Sequence, residues 1–218
     1  MSDDVREWLA AQTAALHAEL DETGGTFDLD DEAGRNALLA FFARGVIQVE
    51  GALDLIGAER FWPDYVARRR RHMLPAADVE VRPLFSSEAA AWGAFYVLEG
   101  SRLGAKVLAR RSPILAAHPY FRSGLKGEWP DFLRMLAAAD DRIGDRPAMS
   151  EGAVAAFSTF RASVAERTNS AETDHPTQDD ASDKHFAMER QLGGRRLATR
   201  RLTGIGEAAD PAKTGCDA

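Results

Sequence analysis

The chain has 218 residues, 45% of them hydrophobic and 28% charged, a composition that fits one soluble globular domain with room for a tail. Ala, Leu, Glu and Arg dominate while Val, Ile, Thr and Tyr are thin, so the fold class is all-α and an all-β fold is excluded. With 27 basic against 34 acidic residues the net charge is -7, which gives no general attraction to phosphate backbones or anionic lipid and excludes nucleic acid and membrane surfaces as main partners.

Ser2, Asp3 and Asp4 supply N-cap chemistry for a first helix, whose apolar residues Val5, Trp8, Leu9, Leu16 and Leu20 keep a 3.6-residue rhythm up to Gly24-Gly25. Asp30 and Asp31 start a second, long helix through Leu38, Phe41, Phe42, Val46, Val49 and Leu53, which Gly57 terminates. A turn at Phe61-Trp62-Pro63 leads to a short basic helix over 64–73 and a loop from Pro75 to Pro83. Ser86 or Ser87 caps a helix from about 88 to 111, with Pro113 just past its end. Further helices are predicted over roughly 130–143 and from a Ser150 cap through Val154, Phe157, Phe160 and Val164.

The helical domain is expected to span 1–168. Beyond it the composition changes: 169–183 hold five acidic residues and no basic one, and 184–201 hold six Lys or Arg against one Glu. Such a polar, charge-segregated tail (169–218) buries too little to offset the entropy of ordering and reads as disordered, with a short helix around 184–202 as the alternative. The N-terminus has no apolar signal core and no stretch nears 18 apolar residues, so a cytoplasmic protein is expected. The single cysteine, Cys216, allows no intrachain disulfide.

Two features point to chemistry. The first is Tyr96-Val97-Leu98-Glu99-Gly100-Ser101-Arg102-Leu103-Gly104-Ala105-Lys106-Val107-Leu108, with two glycines inside a helix. Each costs roughly 1 kcal/mol relative to Ala, and the i, i+4 spacing puts both on one face. Close helix packing is the commoner reason for such a pair; the other is a flat ligand lying on a helix bared of side chains. The second is His17, on the flank of the first helix's apolar stripe. A lone histidine is more often a surface residue than a ligand, but a neutral imidazole facing a bare helical wall is what a haem needs.

The string from Gly93 to Gly104, with Thr13-Ala14-Ala15-Leu16-His17-Ala18-Glu19-Leu20-Asp21 some eighty residues before it, resembles the bacterial haem oxygenases, particularly the bacteriophytochrome-associated branch. The resemblance covers about residues 1–168. It implies a multi-helical bundle in which haem lies between a proximal first helix and a glycine-kinked distal helix. His17 falls on the axial ligand of the haem iron, the one metal the resemblance implies. Gly100 and Gly104 fall on the distal glycines. Ser101 stands where mammalian members carry an aspartate of the distal water network, so Gly100, Ser101 and Gly104 are the catalytic candidates. Ala105 replaces a common second glycine and is expected to tighten the distal pocket.

The implied reaction is oxidative cleavage of haem, substrate and cofactor at once, to biliverdin, carbon monoxide and ferrous iron. O2 and electrons from an external reductase or ferredoxin drive it, and a bacteriophytochrome is the implied bilin acceptor. The alternative is a haem- or bilin-binding or interaction protein of the same fold without turnover, because function lives in the site. Haem propionates need cationic or phenolic partners, for which Arg6, Tyr96 and Arg161 are the candidates, Arg6 lying three helical turns before His17.

The run Arg68-Arg69-Arg70-Arg71-His72 is expected to be a solvated helix face, with docking of an acidic electron donor as the sharper reading. His175, Asp179, Asp180, Asp183 and His185 resemble a metal set in spacing alone, and none is expected to bind there.

Overall fold

A computed structural model describes residues 4–122 and 128–173, with side chains up to residue 163. These residues lie in one unit, Met1–Pro176; the second, Thr177–Ala218, is outside the described residues, and with it most of the expected tail. Among the described residues every regular element is helical.

Local chemistry sets the helix ends. α1 (Val5–Gly25) starts at Asp4, whose carboxylate accepts from the Arg6 N–H, and α2 (Glu32–Leu55) starts at Asp31, which accepts from Gly34. Gly57 then turns the chain at φ 68, a left-handed conformation that suits glycine, into a 3-10 turn over Ala58–Arg60. The basic stretch forms only one helical turn, α3 (Tyr65–Arg68), and a second 3-10 turn at Arg71–Met73. The next helix, α4 (Glu88–Ala109), is capped by Ser87 and runs unbroken through Gly100 and Gly104. Two short helices, α5 (Pro113–Ala117) and α6 (Pro119–Arg122), precede α7 (Glu128–Ile143).

The last helix begins earlier than its sequence suggests. Gly144, again at φ 68, ends α7, and the Asp145 carboxylate accepts the Ala148 N–H at 3.1 Å to open α8 (Arg146–Thr173). Ser150, expected as the cap, is instead inside the helix, where its hydroxyl accepts from Trp8 Nε1 at 2.8 Å and fastens α1 to α8. The backbone of α8 continues to Thr173, past the boundary expected at 168.

α8 is the axis of the bundle, with α1, α2 and α4 packed on it and α7 closing α4 and α1. Leu9, Leu38, Leu53, Phe95, Phe132, Leu136 and Met149 fill the core with almost no exposure. A glycine pair does provide close helix approach, but it is Gly93 and Gly152. A methyl added at Gly93 would stand 1.8 Å from the Met149 carbonyl oxygen, and one at Gly152 would stand 2.0 Å from that of Ala90. Gly93→Ala or Gly152→Ala is therefore expected to destabilise by about 2–3 kcal/mol despite the better helix propensity of alanine. Urea unfolding measures this, and an unchanged midpoint would contradict the contact.

Candidate functional site

Gly100 and Gly104 face open space. Among the described residues a methyl at either position would meet no atom of a neighbouring element within 4 Å, so no described helix packs closely on this pair. At i+3 and i+7 from Gly100, Leu103 and Val107 are 40% and 57% exposed. The four share one face of α4, so about 10 Å of helix offers backbone and aliphatic carbon to the outside. Ala105 is 1% exposed and belongs to the core, so its methyl does not narrow this face.

His17 is 61% exposed on α1. Its Nδ1 lies 3.0 Å from Asp21 Oδ2 one turn later, and its ring meets Phe157 of α8 edge to face at 5.9 Å. A carboxylate on Nδ1 fixes the ring and its tautomer and leaves Nε2 as the nitrogen that can bind a metal. Asp21 is thus a partner of His17 that the sequence reading passed over, although its i+4 spacing was visible. Both α1 and α4 pack on α8 and make little direct contact with each other.

The three propionate candidates divide between two places. Tyr96 is half-buried against Trp129, with ring centroids 6.0 Å apart; burial raises its phenol above the usual range, and Arg6 is near enough to offset part of that. Arg161 lies elsewhere, 3.7 Å from Glu19, two residues past His17. Ser101 is half-buried, and its hydroxyl donates to the Leu98 carbonyl at 2.7 Å.

The arginine run is not the solvated helix face expected of it. Arg68 makes a two-pronged contact with Glu99, at 2.6 and 3.2 Å, and its side chain is only 14% exposed. Arg69 and Arg71 both pair with Asp54, while Arg70 turns towards Glu128 and the backbone oxygens of Ala67 and Arg69. Glu50, buried in α2, accepts the backbone N–H groups of Arg70 and Arg71, and burial raises its carboxyl above the ordinary value. The arginines clamp this segment to α2 and α4. Their acidic partners lie 15 to 60 residues away, so the run alone could not show this.

Among the described residues no group of three or more His, Cys, Asp or Glu side chains is placed to hold a metal ion, and no helix is long and apolar enough to cross a membrane. His175, Asp179, Asp180, Asp183, His185 and Cys216 lie outside the described residues.

The chain is 41% identical over 97 residues to a protein of Xanthomonas campestris pv. campestris (strain 8004). That relative is named "Heme oxygenase". The aligned stretch covers 40% of this chain and 58% of the relative. No family model matches, and no solved structure matches.

Proposed function

We propose that the chain is a haem oxygenase of the bacterial, bacteriophytochrome-associated branch, with haem held between His17 and the glycine face of α4. The open space over Gly100 and Gly104 carries this reading. Two glycines inside a helix cost stability, and with no neighbour to accommodate they need a ligand to justify them. His17 supplies an available Nε2 already backed by a carboxylate, so the residues present fit the group. The 41% identity to a named haem oxygenase supports the same reading.

In this reading His17 binds the iron through Nε2, and Asp21 keeps the ring oriented by holding Nδ1. Gly100, Ser101 and Gly104 form the distal wall, where bare backbone lets a flat ring approach. Leu103 and Val107 exclude water from the ring's edge. Arg6 with Tyr96, and Arg161 beside Glu19, are the groups for the propionates. The bound haem itself supplies the redox chemistry, its ring opened by O2 with electrons from an external reductase or ferredoxin to give biliverdin, carbon monoxide and ferrous iron. The protein works in the cytoplasm and passes the bilin to a bacteriophytochrome. With Ala105 turned into the core, one argument for a member without turnover falls away.

Hemin titration tests the proposal. A Soret band is expected that is lost in His17→Ala and that decays under air, with ascorbate or a ferredoxin reductase system, into the broad red absorbance of biliverdin. A stable band would mean a haem carrier, and no band an interaction protein.

A further inference from the structure

Charge is spread unevenly over this chain. From Gly100 to Gly127 the sequence carries six Lys or Arg and no Asp or Glu, the longest acid-free stretch of a chain whose net charge is -7. Lys106 and Arg110 stand one turn apart at the C-terminal end of α4, and the Arg111 N–H continues the turn to the Leu108 carbonyl at 3.0 Å. This end lies about 10 Å along the helix from Gly104, beside the open glycine face. Arg122, on α6, belongs to the same stretch, and α6 packs on α4. Arg110, Arg111 and Arg122 are exposed and Lys106 is half-buried. Among the described residues none of the four has a carboxylate partner. Arg68 to Arg71 all have one, and so do the surface residues Arg82, Arg134 and Arg142. The negative end of the α4 dipole favours cations at its own terminus, but it accounts neither for Arg122 nor for the missing acids.

We propose that Lys106, Arg110, Arg111 and Arg122 form the docking surface for an acidic electron-donor protein of the ferredoxin type. This rests on the haem-binding reading above, because the patch adjoins the face on which haem is proposed to lie. One electron passes from the reduced iron-sulfur cluster of the donor to the ferric iron, so the cluster is oxidised, the iron becomes ferrous, and no bond or proton is exchanged. Complementary charge raises the rate of encounter and sets the orientation of the donor. The rest of the chain is net acidic, which favours a compact acidic protein that touches only the patch over a phosphate backbone or a lipid surface that spreads beyond it.

The test compares the wild-type full chain with Lys106→Glu/Arg110→Glu/Arg111→Glu and with a charge-matched control, Arg82→Glu/Arg134→Glu/Arg142→Glu. Stopped-flow reduction of the hemin complex by a reduced, acidic plant-type ferredoxin at low ionic strength is expected to slow tenfold or more in the patch variant and far less in the control. High salt should remove the difference, and hemin affinity and reduction by dithionite should match the wild type. Calorimetry with the same ferredoxin and the hemin-free chain should show binding that the patch variant loses. Equal slowing in both variants, or a wild-type rate insensitive to salt, overturns the proposal. So does patch-dependent binding of duplex DNA or phosphatidylserine vesicles without binding of ferredoxin. If the glutamate variant does not fold, Lys106→Gln/Arg110→Gln/Arg111→Gln takes its place, with a smaller slowing in the same direction. If the wild type binds no hemin, the functional reading fails, and the calorimetry still decides whether the patch binds an acidic protein.

Discussion

Glu99→Ala is expected to cost about 3–5 kcal/mol of unfolding free energy, as much as truncating a buried core residue. Glu99 is 4% exposed and receives both Arg68 and Arg102, the latter at 2.8 Å. Burial works against the charge on Arg68, but Glu99, Glu128 and Asp64 outweigh it and raise its pKa. Arg70 beside them has its pKa lowered, first by burial and then by the charge of Arg102. Removing Glu99 leaves these guanidinium groups facing one another with one fewer anion and little water. The damage comes from the cations left behind more than from the bond lost, which is why a surface arginine pair such as Arg134–Asp131 should give less than about 1 kcal/mol under the same change. Urea unfolding followed by circular dichroism measures both, and a Glu99→Ala loss as small as the surface value would sink the account.

Glu99 also shows which features a sequence displays and which it hides. It lies in the motif Tyr96 to Gly104, yet nothing near it in the chain supplies Arg68, 31 residues earlier. The caps at Asp31 and Ser87 and the turn at Gly57 were legible because their partners are within three or four residues. Ser150 misled because a serine before an apolar run can cap a helix or accept from an indole, and only the position of Trp8 chooses between them. The glycines make the same point. Gly93 and Gly152 are 59 residues apart and become a packing pair only through the crossing of α4 and α8. Gly100 and Gly104 look like a packing pair at the level of spacing and are not one.

That difference among the glycines leads to the second large effect, in which stability and ligand binding move in opposite directions. Gly100→Leu and Gly104→Leu start side chains at positions where a Cβ meets no described neighbour within 4 Å, which lets the gain in helix propensity show. Each variant is expected to raise stability by roughly 0.5–1 kcal/mol, because leucine is among the best helix formers and glycine among the worst. The same side chains would fill the face on which a flat ligand must lie. Hemin affinity is expected to fall about a hundredfold in the double variant, some 2.7 kcal/mol. In the proposed reading, the two glycines give up helix stability so that a flat ligand can lie on this face. Urea unfolding and hemin titration on the same preparations separate the possibilities. Lower stability would mean that the glycines are packed against something after all, and undiminished hemin affinity would move the binding face away from α4.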